Sequence, residues 1–202
     1  MHIAIAGNIG AGKTTLTQLL SQHYNWESHF ESVEENPYLD SFYTDMQRWA
    51  FNLQVYFLQT RFQHIKRIKE SRNSIIQDRT IYEDAYIFAP NLHQMGLMSR
   101  RDFENYQSLF ELIESFLSPP DLLIYIRASV PKLLEQIRTR GRDYEMNIRE
   151  DYLSRLNERY EAWFSTYDRG NLLIVDADTL DYNSNQEDLK KIIAQIDEKL
   201  GK

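Results

Sequence analysis

The sequence predicts an α/β fold, a five-stranded parallel sheet flanked by helices with a short arginine-rich lid. Two observations carry this. Short apolar runs alternate with longer stretches of helical periodicity, the pattern of parallel strands joined by right-handed crossovers. The first apolar run also leads directly into Gly7-Asn8-Ile9-Gly10-Ala11-Gly12-Lys13-Thr14, which fits the phosphate-loop pattern G-x-x-x-x-G-K-[ST]. Strand, glycine-rich loop, Lys-Thr and helix follow in the order of a P-loop NTPase fold. The competing reading is a glycine-rich turn ahead of an ordinary helix, which would not require all four together.

Each element has its own justification. Residues 2–6 read as a buried strand, and residues 14–23 as an amphipathic helix. The other strands are expected over residues 26–30, 74–77, 122–126 and 172–175. Helices are expected over 46–70, 101–117, 130–138, 150–168 and 185–200. The unbroken run Leu122-Leu123-Ile124-Tyr125-Ile126 suits a strand covered on both faces, as in parallel sheets. Ligands in open sheets of this kind bind beyond the carboxyl ends of the strands.

A chain of 202 residues with 42% apolar content suits a single domain, with the lid at about residues 138–149. No cysteine is present, so disulfides and thiolate metal sites are excluded. That suits a reducing, cytoplasmic setting. The first strand begins at His2, so no signal peptide is expected before it. No apolar run reaches the length of a membrane span. The net charge of −7 disfavours a long nucleic-acid groove and favours a small phosphorylated ligand.

The loop explains its own chemistry. Its glycines let successive N–H groups point at one anion, and the helix N-terminus, with Thr15 in its first turn, adds a positive dipole end. Lys13 is placed to reach the β- and γ-phosphates of a nucleotide, and Thr14 to ligate magnesium. Glu31 directly follows the second strand, where a carboxylate can accept a proton from an attacking hydroxyl; Glu34 is the spare candidate. A solvated acidic turn is the alternative for both. Asp78, leaving the third strand, suits a magnesium-supporting acid, and Arg79 can bridge donor and acceptor. A surface Asp–Arg pair is the alternative there.

Gln54 interrupts an apolar stretch of the long helix, with Arg61 two turns along the same face. An amide offers donors and acceptors suited to a nucleobase edge, yet spacing alone fits an internally bonded core glutamine equally well. Arg138, Arg140 and Arg142 cluster around Gly141, consistent with a closing lid or with a solvated basic helix end.

Taken in order, these motifs resemble the deoxyribonucleoside kinases, and most closely their bacterial deoxyadenosine/deoxyguanosine kinase branch, from Ile3 to about Asp178. The resemblance implies ATP as phosphoryl donor, Mg2+, and a deoxynucleoside acceptor phosphorylated at its 5′-hydroxyl. Glu31-Ser32-Val33 stands where the family has Glu-Pro-Val, which makes Glu31 the general base. Tyr43 and Glu145 fall at the positions that contact the sugar 3′-hydroxyl. Gln54 falls at the base-reading glutamine, with Arg61 beyond it, and Asp84 with the following Tyr86-Ile87-Phe88-Ala89 completes the base pocket. Asp78-Arg79-Thr80 and Arg140-Gly141-Arg142 match the family's strand-end and lid motifs. Asp176-Ala177-Asp178 resembles the turn near the ATP adenine. One departure stands out: a lid arginine found in some members falls at Gln136, with Arg138 two residues away.

Deoxyadenosine is the substrate that the resemblance to this branch, Glu34-Glu35-Asn36-Pro37-Tyr38 included, implies, with deoxyguanosine and deoxycytidine as alternatives. The resemblance also implies a homodimer, through helices such as 46–70 and 101–117, and feedback inhibition by the end-product triphosphate. Two readings outside this family remain. One is a thymidylate-like nucleotide kinase; the other is a non-catalytic nucleotide-binding subunit.

Overall fold

The computed structural model describes residues 1–30, 36–145 and 148–201; of Tyr144 only the backbone is described. Five parallel strands form one sheet: β1 (His2–Gly7), β2 (Glu27–His29), β3 (Ile75–Asp78), β4 (Leu122–Arg127) and β5 (Leu172–Asp176), in the order β2-β3-β1-β4-β5. All five expected strands are present. The register pairs Ile5 with Asp78 and Gly7 with Ile126, so β1 ends in the middle of the sheet between the ends of β3 and β4.

The period-two alternation sorts the strand residues into two cores. Ala4, Ala6, Leu123 and Tyr125 face one core, with Leu53, Phe57, Tyr106, Tyr160 and Phe164. Ile3, Ile5, Leu122, Ile124 and Ile126 face the other, against Leu16, Leu20, Ile192 and Ile196. Because both faces are covered, β4 has no polar face to show, which is why its sequence reads as a continuous apolar run.

The helices are α1 (Lys13–Tyr24), α2 (Leu39–Thr44), α3 (Met46–Glu70), α4 (Ile81–Glu83), α5 (Ala89–Gln94), α6 (Arg100–Glu114), α7 (Val130–Arg140), α8 (Glu150–Ser165) and α9 (Gln186–Leu200). Side chains fix several starts. Asp45 accepts from Arg48 N–H at α3 (3.0 Å), and Ser99 from Asp102 N–H at α6 (3.1 Å). At α7, Ser129 accepts from Lys132 N–H, and Pro131 lies in the first turn, where a missing N–H costs nothing. Gly141 ends α7 in the left-handed conformation, at φ 68°.

The sequence did not predict α2, the helical run from α4 through α5, or the short 3-10 turn Asp143–Glu145. The six-residue α2 is too short for a helical period to show. Between α4 and α5, Asp84–Phe88 forms a π-helical turn inside one continuous helical run. Such turns concentrate at functional sites. Helices α6 and α8 end at Glu114 and Ser165, three residues short of the expected ends in each case. No helix among the described residues is long and apolar enough to cross a membrane.

Candidate active site

The phosphate loop joins β1 to α1. Gly10 sits at φ 83°, and a β-carbon there would stand 2.8 Å from the Leu133 carbonyl oxygen, so only glycine fits. Asn8 pins the loop from below: its amide donates to the Leu153 carbonyl (3.1 Å) and to Asn157 (2.7 Å), while its oxygen accepts from Ile9 N–H (2.8 Å). Lys13, 7% exposed, folds back so that Nζ donates to the carbonyls of Gly7 (2.8 Å) and Asn8 (2.9 Å).

The parallel pairing of β1 with β3 sets Asp78 beside the loop. Thr14 Oγ1 donates to Asp78 Oδ2 at 2.6 Å. A hydroxyl and a carboxylate at this separation are hard oxygen ligands of the kind Mg2+ takes. No group of three or more His, Cys, Asp or Glu among the described residues could hold a metal alone. The fit is therefore to an ion that keeps water and phosphate oxygens as its other ligands, as magnesium does. Arg79 is 7% exposed, holds φ 68°, and lays its guanidinium 4.6 Å from the centre of the Phe88 ring.

A cavity of about 590 Å³ runs from the loop to the long helix. At one end it is lined by Gly12, Lys13, Thr14, Asp78 and Arg79, and at the other by Gln54, Phe57, Asp84 and Phe88. Gln54 is 2% exposed, and its Oε1 has no hydrogen-bond partner among the described residues. A buried amide oxygen in that state costs stability unless a ligand satisfies it. Of the two readings the spacing left open, this favours the ligand-facing one. Arg61 and Asp84 form an ion pair, both almost wholly buried, with Arg61 also over the Phe57 ring at 4.8 Å. Asp84 reaches the cavity wall; Arg61 stands behind it.

Tyr43 and Glu145 also line the cavity, and the turn Asp143–Glu145 packs on α2. Glu145 pairs with both Arg140 and Arg142, the latter at 3.5 Å. Gln136 lines the cavity on the α7 face, whereas Arg138 is exposed and does not. Arg138 thus does not occupy the place of the missing lid arginine.

The turn after β5 needs a correction of detail. Asp176 and Asp178 are not in the cavity wall. Asp178 instead accepts from Ser129 N–H (2.9 Å) and hydroxyl (2.8 Å), and Asp176 accepts from Asp178 N–H (2.9 Å). These acids hold the turn to the start of α7, and Ala177 and the residues 180–184 that follow face the cavity instead. Glu31 and Glu34 lie outside the described residues.

Sequence reading missed Glu83, which is wholly buried behind the loop. Thr80 and Glu83 have the capping-box spacing, which was the legible signal. It also missed Tyr152 and Tyr182 in the cavity wall. Burial pushes the phenols of both up, so they remain neutral hydroxyls.

The deoxynucleoside kinase family model matches residues 3–201. The chain belongs to the deoxynucleoside kinase family. The deoxyadenosine/deoxycytidine kinase of Bacillus subtilis is 37% identical over 196 residues, covering 96% of this chain and 90% of that protein. The deoxyguanosine kinase of Lactobacillus acidophilus is 37% identical over 210 residues, covering 98% and 90%. A solved deoxyadenosine kinase from M. mycoides with bound dATP superposes with a TM-score of 0.86 at 33% identity, covering 98% of this chain and all of that one. This deoxynucleoside kinase is therefore an α/β phosphotransferase of the P-loop type, as the ordered motifs implied. Family membership also separates it from the nucleotide-kinase and non-catalytic readings.

Proposed function

We propose that this chain transfers the γ-phosphoryl group of ATP to the 5′-hydroxyl of a deoxyribonucleoside, with deoxyadenosine as the preferred acceptor. The observation that carries this is the single cavity joining the phosphate loop to the buried amide of Gln54. A ligand with an anionic end and a heteroaromatic end is what such a cavity accommodates.

In this reading Lys13, Arg79, Arg140 and Arg142 hold the γ-phosphoryl group as charge spreads over its oxygens. Thr14 and Asp78 hold Mg2+, which when bound neutralises phosphate charge. Glu31 orients the 5′-hydroxyl and takes its proton. Tyr43 and Glu145 bond the 3′-hydroxyl, and aromatic side chains crowd the 2′ side. Gln54 accepts from the adenine amino group and donates to a ring nitrogen, the pairing an amide makes with adenine elsewhere. Asp84, fixed by Arg61, completes the base slot.

The names of the relatives include deoxyguanosine and deoxycytidine kinases. A competition assay with ATP, Mg2+ and four deoxynucleosides decides the base. Predominant dAMP formation supports the reading. Predominant dGMP or dCMP overturns the choice of base, and absence of any monophosphate overturns the activity.

A homodimer through α3 and α6 belongs to the same proposal. Leu112 and Phe116, each 63% exposed, and Leu109 lie on or just beyond α6, and a partner copy would cover them. A monomeric mass by analytical ultracentrifugation at micromolar concentration overturns this part.

A further inference from the structure

We propose that Glu83 is a positioning residue that fixes the phosphate loop against the strand end bearing Asp78 and Arg79, with Tyr160 as its partner. The proposal rests on the phosphoryl-transfer reading above and extends it to two side chains that touch no part of the cavity.

Glu83 is 0% exposed. Its Oε1 accepts from Gly7 N–H at 3.1 Å and lies 2.8 Å from the Tyr160 hydroxyl. Its Oε2 accepts from Thr80 N–H at 2.7 Å and from the Thr80 hydroxyl at 3.2 Å. All four groups facing the carboxylate can donate, so the ionised form is satisfied without solvent. Both oxygens are used, and they reach different segments. Oε1 holds the first residue of the phosphate loop. Oε2 holds Thr80, the residue directly after Asp78 and Arg79.

Gly7 is thereby fixed through both of its backbone polar groups. Its N–H goes to Glu83. Its carbonyl accepts from Lys13 Nζ at 2.8 Å and lies 2.9 Å from the Tyr160 hydroxyl. Tyr160 has one proton and two acceptors in reach, and the carboxylate is the stronger of them. Burial, and then the Glu83 charge, push the Tyr160 phenol well up, so it stays a donor.

The arrangement has a consequence for chemistry. The loop grips a triphosphate only if its N–H groups keep their directions, and Lys13 is useful only if its anchor on Gly7 stays in place. A β-carbon on Gly7 would come within 2.9 Å of the Ile126 carbonyl oxygen, so the backbone there is closely packed as well. Glu83 ties this point to Thr80 across one buried carboxylate, and so sets the distance between donor phosphates and the Asp78–Arg79 pair. A helix cap alone would need Oε2 and Thr80 only. Oε1 and Tyr160 are the part that capping does not explain.

The test compares Glu83→Gln and Tyr160→Phe with wild type. The Kd for ATP by calorimetry, the Kd for deoxynucleoside, kcat and the KM for each substrate are read. Gln keeps the shape but turns an NH2 toward donors. We expect Glu83→Gln to weaken ATP binding about tenfold and to lower kcat, with deoxynucleoside Kd within about twofold of wild type. Tyr160→Phe, which removes one hydroxyl from an otherwise intact core, should weaken ATP binding about threefold. The double variant should show less than the product of the two losses, because both act through Oε1. If Glu83→Gln does not fold, Tyr160→Phe decides alone. Variants that fold and bind ATP as wild type does, or that lose both substrates equally, overturn the proposal. A wild-type protein that binds ATP but phosphorylates no deoxynucleoside would sink the functional reading and leave this comparison of ATP affinities intact.

Discussion

The Thr14 hydroxyl, in the first turn of α1, donates to the Asp78 carboxylate at the end of β3, at 2.6 Å. Neither residue is near the other in sequence; the β1–β3 register brings them together. Their oxygens form a place in the cavity where a hard cation and a phosphate oxygen could share ligands. We expect Asp78→Asn to lower kcat about 100-fold and to raise the Mg2+ concentration at half-maximal rate. A magnesium titration at fixed free ATP checks this. An unchanged midpoint would detach Asp78 from the metal.

The Arg61–Asp84 pair lies within the protein, with side chains 4% and 1% exposed. Removing one member strands a buried charge. We expect Arg61→Leu or Asp84→Ala to cost about 3 kcal/mol in urea unfolding. The double variant Arg61→Met/Asp84→Leu should recover most of that loss, since an apolar pair of similar volume has no charge to desolvate. It should not recover selectivity among bases. If the double variant is as unstable as either single one, the pair matters for packing rather than charge.

How much of this was legible in the sequence depended on range. The loop, Asp78 and Arg79 could be placed because a motif and a strand end are local signals. Gln54 could be singled out as a polar residue in an apolar helix, but its purpose could not, because spacing does not reveal whether a partner is present. The Oε1 without a partner among the described residues favours a ligand-facing amide. Asp176 and Asp178 were expected at the nucleotide because their turn resembles the family's turn near the ATP adenine; the hydrogen bonds Asp178 accepts from Ser129 span 49 positions in sequence, which no local signal shows. The π-helical turn at Asp84–Phe88 left no periodic trace, since five residues are too few to shift an apparent period.

His2 opens β1 with its ring Nε2 2.9 Å from Gln77 Oε1 on β3. Burial lowers its pKa from the ordinary 6.5; the Gln77 bond and nearby Asp121 oppose this, and the N-terminus and His29 add to it. The unfolded chain therefore binds a proton near pH 6.5 that the folded chain refuses until lower pH. In that window the unfolded state holds more protons, so stability rises with pH and is lost as pH falls below about 6.5. We expect His2→Asn to flatten that slope in urea midpoints taken from pH 7 down to about pH 5.5, above the carboxylate range. An equally steep slope in the variant would assign it to other groups.

Arg79 is one of two non-glycine residues with positive φ among the described residues, at 68°. The left-handed region costs an L-residue about 1 kcal/mol, and glycine does not incur it. The strain is held by Arg79 N–H donating to the Ile5 carbonyl at 2.8 Å on one side and by the guanidinium over Phe88 on the other. This fixes the direction in which the side chain leaves the strand end, toward the cavity. Arg79→Ala removes the guanidinium and keeps the strain, whereas Arg79→Gly removes both. We therefore expect both variants to lose about 100-fold or more in kcat, as loss of a phosphate-facing cation does. The glycine variant should nonetheless be more stable than the alanine variant by about 1 kcal/mol, offset in part by the larger backbone entropy of unfolded glycine. Paired urea melts and steady-state rates measure both quantities on the same preparations. Equal stability of the two variants would mean the backbone has relaxed out of the left-handed region once the guanidinium is gone. The strain would then be imposed by the side chain's contacts and not by the turn.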